Sequence, residues 1–150
     1  PIILTLLGIW LAFLPNAPYI LTDLIHLKPR PGIPVLYDLI MLVSFGLNGL
    51  ILALISLADV HDVLAKVVPQ KLANLVVSVI LFLTSYGIYL GRVLRWNSWD
   101  LLLNPHLILD SIIDQLTYGS LMSTAGYMTV MFFVFLSLNY FGFRLLKQRQ

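Results

Sequence analysis

The sequence predicts an all-α integral membrane helical bundle with about four transmembrane helices, a short helix after an Asn-Ala-Pro-Tyr string and an amphipathic interfacial helix. Two observations carry this reading. Residues 39–58, 72–91 and 115–143 contain no charged side chain; 1–22 contains none either, and is interrupted by Pro15 and Pro18. An α-helix needs about 20 mostly apolar residues to cross the hydrocarbon core of a bilayer. Composition agrees. Charged residues are 11% and hydrophobic residues 59%, against about 25% charged in an ordinary soluble domain. The mean hydropathy is +0.92.

Each element follows from local chemistry. The first helix is expected over 2–14, stopped by Pro15 and Pro18, because proline lacks an N–H and disfavours helical geometry in the residue before it. Asn16 is placed to cap a second short helix that reaches Leu27, with Pro18 in its first turn. Pro29, Pro31, Gly32 and Pro34 then form a stiff loop. Crossings are expected at 36–58 and 72–91, joined by a short polar turn in which Asp59, His61 and Asp62 read as a solvated helix end. Asn104 and Pro105 start an interfacial helix. In it Leu109, Ile112, Ile113 and Leu116 make an apolar stripe, opposite His106, Asp110 and Asp114, with Trp96 and Trp99 as anchors. The last crossing, 119–143, ends in the basic tail Arg144, Lys147 and Arg149. Residues 1–150 read as a single transmembrane domain, a fragment of a longer chain with further N-terminal sequence.

With four crossings, alternate loops share a side. Loop 15–35 and segment 92–118 fall on one face, and loop 59–71 and the C-terminal tail on the other. The second face carries five Lys and Arg against four on the first, which tilts the tail toward the cytoplasm. The expected partners are the lipid bilayer and an anionic lipid or small solute. The charge of +2 is too small and dispersed for nucleic acid, and no cysteine is present for disulfides or thiolate metal sites. No nucleotide-binding glycine pattern, nucleophile elbow or zinc-protease motif occurs, and no cofactor is called for.

Polar side chains inside spans are costly and usually face the bundle. At 100° per residue, Asn74, Ser78, Ser85, Tyr89 and Arg92 fall within about a 60° arc of one helix. That stripe is either a packing seam or the wall of a polar pathway. Ser44 with Asn48, and Ser120 with Thr124 and Tyr127, are shorter stripes of the same kind; Gly46 with Gly49, and Gly87 with Gly91, are close-packing sites. Two constellations carry the candidate site. One holds Asn16, Thr22, Asp23 and His26, the other Arg92, Arg95, Trp96, Asn97, Trp99 and Asp100, followed by His106, Asp110 and Asp114. Arg92 and Arg95 can clamp a phosphate or carboxylate, or bind Asp23 or Asp100 instead.

The strings FLPNAPYILTDLIHL (13–27) and GRVLRWNSWDLL (91–102), with the spacing of the hydrophobic segments, resemble a bacterial multi-pass membrane family catalogued as domain of unknown function family 1361. The resemblance implies the helical membrane architecture and a bacterial cytoplasmic membrane, and highlights Asn16, Tyr19, Thr22, Asp23, Arg92, Arg95, Asn97, Trp99 and Asp100 without giving them roles. Three function classes are compatible with the residues. The favoured one is a non-enzymatic membrane protein with a polar site formed by the 16–30 and 92–114 loops at one membrane face. The others are a small-solute transporter or channel component, and a metal-dependent enzyme on a lipid-borne substrate. That enzyme would draw ligands from Asp23, His26, His106, Asp110 and Asp114.

Overall fold

In the computed structural model the described residues are 2–29, 31–32, 34–96, 98–118 and 124–147. They form α1 (Ile2–Phe13), α2 (Asn16–Tyr19), a 3-10 segment (Ile20–His26), α3 (Val35–Leu64), α4 (Gln70–Arg92), α5 (Asp100–Leu103), α6 (Pro105–Tyr118) and α7 (Thr124–Lys147), with no strand among them. Four stretches are long and apolar enough to cross a membrane: Ile2–His26, Val35–Leu64, Gln70–Arg92 and Thr124–Lys147. The protein is an all-α, multi-pass membrane bundle.

The first crossing follows the sequence expectation in where α1 ends, at Phe13 just before Pro15, and departs from it in that the short segment beyond continues the same apolar stretch, Ile2–His26. Pro15 keeps helical angles (φ −60°, ψ −25°), and α2 starts on the next residue. Pro18 falls in the first turn of α2, where a missing N–H is harmless. The Ala17 N–H reaches the Leu14 carbonyl at 3.3 Å, and the Tyr19 N–H reaches that of Pro15 at 3.1 Å. The Asn16 side chain makes no cap; it is used elsewhere. The chain then tightens into a seven-residue 3-10 run, longer than the three or four residues usual for that geometry. Thr22 Oγ1 secures it by donating to the Tyr19 carbonyl at 2.6 Å.

This composite rod runs antiparallel to α3. Trp10 Nε1 donates to Ser56 Oγ at 2.8 Å, Ala17 lies against Gly49, and Leu21 against Gly46. It runs parallel to α4, with Pro15 on Gly87 and Tyr19 on Gly91. Both glycine pairs thus serve as the close-packing sites expected from the sequence.

A second correction concerns the lower end of α3. The helix does not stop at residue 58 but continues to Leu64, about 45 Å at 1.5 Å per residue. His61 is therefore buried, with 2% exposure, rather than solvated. Its Nδ1 is 2.7 Å from the Tyr140 hydroxyl and its Nε2 is 3.1 Å from Gln70 Nε2. Gln70 also donates to Asn74 Oδ1 at 2.9 Å. Next to it Asp62 pairs with Arg144, and with Lys147 at 3.2 Å. This lower network ties α3, α4 and α7 together. It meets the rule that buried polar groups must find partners.

Of the other polar residues in the spans, Ser85 and Tyr89 of α4 are buried as expected, whereas Ser44 and Asn48 of α3 depart from the inward-facing expectation. Ser44 and Asn48 are exposed on the outer side of α3, where the Asn48 amide donates to the Ser44 carbonyl at 2.8 Å. Along α4, Ser78 Oγ donates to the Asn74 carbonyl and Ser85 Oγ to that of Leu81. A hydroxyl bonded to its own helix four residues back needs no partner across the bundle. The core is instead apolar, built from residues such as Leu50, Leu57, Val77, Ile88, Leu136 and Tyr140.

A candidate anion site at one end of the bundle

The two motif strings meet at the end of the bundle opposite the His61 network. α4 carries Arg92 in its last turn. The guanidinium donates to Asp23 Oδ1 at 2.8 Å and to the Thr22 carbonyl at 3.0 Å. Its carbon lies 5.9 Å from the centre of the Tyr19 ring, within cation–π range. The Arg92 side chain is 11% exposed and that of Asp23 40%. The 3-10 segment turns Thr22 and Asp23 toward α4, so Arg92 is committed within the protein.

A second link joins the strings. Asn16 Nδ2 donates to Ser98 Oγ at 3.1 Å, and Ser98 Oγ donates to the Ala12 carbonyl at 2.8 Å. The Trp99 ring packs edge-on against Phe13, with centroids 5.2 Å apart. Loop 92–98 is therefore held against the junction of α1 and α2, and loops 15–35 and 92–118 share one end as their parity requires.

Arg95 is the departure that matters. Its φ is +59°, and it is the one non-glycine among the described residues in the left-handed region. Glycine adopts this conformation at little cost, whereas a side chain does not. The Trp96 N–H closes back on the Leu90 carbonyl at 3.2 Å. A bulky residue held there stores strain, an observation that points toward function. Arg95 is exposed, and no carboxylate among the described residues pairs with it.

Arg95 and Arg92 line the mouth of a cavity of about 1070 Å³ between α1, α4 and α6. Asn16, Tyr19, His26 and Ser98 share that polar mouth, and the remaining walls are mainly apolar. A hollow of about 470 Å³ lies between the 3-10 segment and α3, with Asp23, His26, Lys28 and Asp38 on its walls.

Of the candidate residues, Asn16, Tyr19, Thr22, Asp23, Arg92 and Arg95 gather here with His26 at the edge. Trp99 packs outside the cavity, Asp100 opens α5 without lining it, and Asn97 lies outside the described residues, as do Arg30 and Ser120. The paired clamp does not form as one unit, since Arg92 binds Asp23 while Arg95 stands apart. On α6 the inward residues are Ile108, at 5% exposure, and Ile112, rather than the stripe through Leu109 and Ile113, each 56% exposed. The apolar side of α6 is divided between the cavity and the outside. His106, Asp110 and Asp114 are exposed, and no three His or Asp side chains among the described residues form a group able to hold a metal ion. Sequence reasoning missed the backbone of Arg95, which carries no glycine signal, and the role of Ser98.

A family model described as a protein of unknown function (DUF1361) matches residues 1–139. The chain belongs to the DUF1361 family. Both motif strings lie within the matched stretch, and so does every residue of the cavity mouth. Asp62 of the lower network is inside it, while Arg144 and Lys147 fall beyond. No curated protein and no solved structure matches the chain.

Proposed function

We propose that this DUF1361 chain is a non-catalytic membrane protein whose site at the motif end binds an oxyanion, with Arg95 as the principal ligand. One observation carries the reading: Arg92 is consumed by Asp23 and Thr22, while Arg95 is held in a left-handed backbone at a cavity mouth without a carboxylate partner among the described residues. Guanidinium presents a planar fork that matches phosphate or carboxylate in two parallel hydrogen bonds. Near a bilayer the low dielectric strengthens such a bond. Arg92 and Asp23 act as the frame that positions loop 92–98, and Asn16 and Ser98 fasten it. Transport has less support, because the serines of the α4 stripe bond within their own helix.

The test is Arg95→Gly. Glycine adopts the left-handed conformation freely, so the variant keeps or gains thermal stability in a maltoside detergent. A charge-assisted hydrogen bond contributes about 1.5–3 kcal/mol, so binding of a soluble phosphate monoester such as glycerol 3-phosphate weakens by roughly ten- to a hundredfold. Wild-type affinity in a folded Arg95→Gly protein overturns the proposal.

A further inference from the structure

The cavity is too apolar and too deep for an oxyanion alone. Its polar side chains, Tyr86 apart, cluster at the mouth. The rest of the wall is mainly apolar and includes Gly8, Leu11, Leu83, Ile108, Ile112 and Met128. Along α4 the lining descends from Arg92 through Gly91, Leu90, Gly87 and Tyr86 to Leu83, nine residues and so about 14 Å at 1.5 Å per residue. The α1 wall descends in register, from Pro15 beside Gly87 to Gly8 two turns below. A Cβ placed at Gly8 would meet no atom within 4 Å, so this wall faces open volume. Ile25 and Leu83 are exposed, so the space is open to the surroundings of the bundle.

We infer that the ligand is an anionic amphiphile, with a phosphate-type head at Arg95 and a hydrocarbon chain lying in the groove from Leu90 down to Gly8 and Leu83. This deepens the anion-site proposal and rests on it. The physical division of labour follows from the solvent. A lipid chain gains little by moving from bilayer to an apolar protein wall, because both are hydrocarbon. Affinity therefore comes from the head, where a guanidinium meets an oxyanion in low dielectric. The groove selects by shape. Head and chain must also be joined at one depth. The mouth supplies this, because Arg95 follows the last turn of α4 while the apolar wall begins at Leu90, within that same last turn.

The source of the oxyanion is decided by comparing long-chain phosphatidic acid with glycerol 3-phosphate, the same head without chains. Wild-type protein in nanodiscs of phosphatidylcholine is titrated with a fluorescent phosphatidic acid, and with glycerol 3-phosphate as competitor. The expected result is retention of the labelled lipid and competition at least tenfold weaker from the soluble monoester. Gly8→Phe puts a bulky ring on the groove wall at a position where the Cβ itself meets no protein atom within 4 Å. It weakens the long-chain lipid at least tenfold and shifts glycerol 3-phosphate, measured directly in a maltoside detergent, by less than twofold. Leu83→Trp repeats the test from the opposite wall if the α1 variant fails to fold. Equal affinity for lipid and monoester, untouched by either variant, overturns the chain assignment and leaves the anion site standing. Binding of neither ligand overturns both.

Discussion

Asp23→Ala is expected to destabilise the protein by about 2–3 kcal/mol, below the roughly 3–5 kcal/mol of a fully buried broken ion pair because the carboxylate is partly exposed. The cost comes from what remains. Arg92 has an 11% exposed side chain, and its retained partners would be the Thr22 carbonyl and the Tyr19 ring. Arg92→Met should cost less through charge, since Asp23 at 40% exposure can hydrate, although it loses the link to the 3-10 segment. The double variant should be about 1–2 kcal/mol more stable than the sum of the single losses, because neutralising both partners leaves no unpaired charge. Denaturant or thermal unfolding in detergent measures all three. Strict additivity would mean that the pair is not coupled and that the 3-10 segment is held by packing alone.

Gly49→Ala is expected to have a comparable or larger effect. In an unobstructed helix the change is worth roughly +1 kcal/mol of stability, because alanine loses less backbone entropy. Here the new Cβ would sit 2.5 Å from the Ala17 carbonyl oxygen and 3.2 Å from its carbon. Backbone cannot rotate out of the way. The segment 14–26 must shift off α3, at the upper end of the roughly 1–3 kcal/mol typical of overpacking. Gly46→Ala meets the Leu21 side chain at 2.5 Å, which can change rotamer, and should cost less. The order Gly49 worse than Gly46, read as loss of melting temperature, checks the packing; equal losses would argue against the antiparallel register of α2 on α3.

Much of this arrangement was legible in the sequence, and the exceptions have physical causes. Charge-free windows located the crossings because hydrocarbon excludes ionised side chains, a constraint strong enough to read residue by residue. Loop parity then placed Asp23 near Arg92. The proline rules located the break between α1 and α2, but Pro15 keeps helical angles and Asn16 caps nothing, so the two join in one apolar stretch. The helix beyond residue 58 was misread because Asp59, His61 and Asp62 look like a solvated end. Asp62 is neutralised by Arg144 and Lys147, some eighty residues away. The parity argument had already put the basic tail and that loop on the same face and could have suggested the pair. The premise that polar groups avoid lipid points Ser44 and Asn48 inward, yet both are exposed and Asn48 bonds to a carbonyl of its own helix. The conformation of Arg95 could not be read, since nothing in a single chain marks a non-glycine residue for the left-handed region. Nor could the cavity, which depends on how far α6 stands from α1 and α4.

The central claim is that the two motif strings, far apart in sequence, are assembled into one site at one end of the bundle. The absence of native cysteine makes it directly testable. Asn16→Cys with Ser98→Cys replaces two side chains that touch at 3.1 Å, and a short thiol-specific cross-linker should join them in membranes, changing mobility on a denaturing gel. Asn16→Cys with Asp62→Cys, at opposite ends of the bundle, should not cross-link. A bridge in the first pair with none in the second is the predicted result. Failure of the first pair to cross-link, with both thiols reactive toward a small maleimide, would contradict the account.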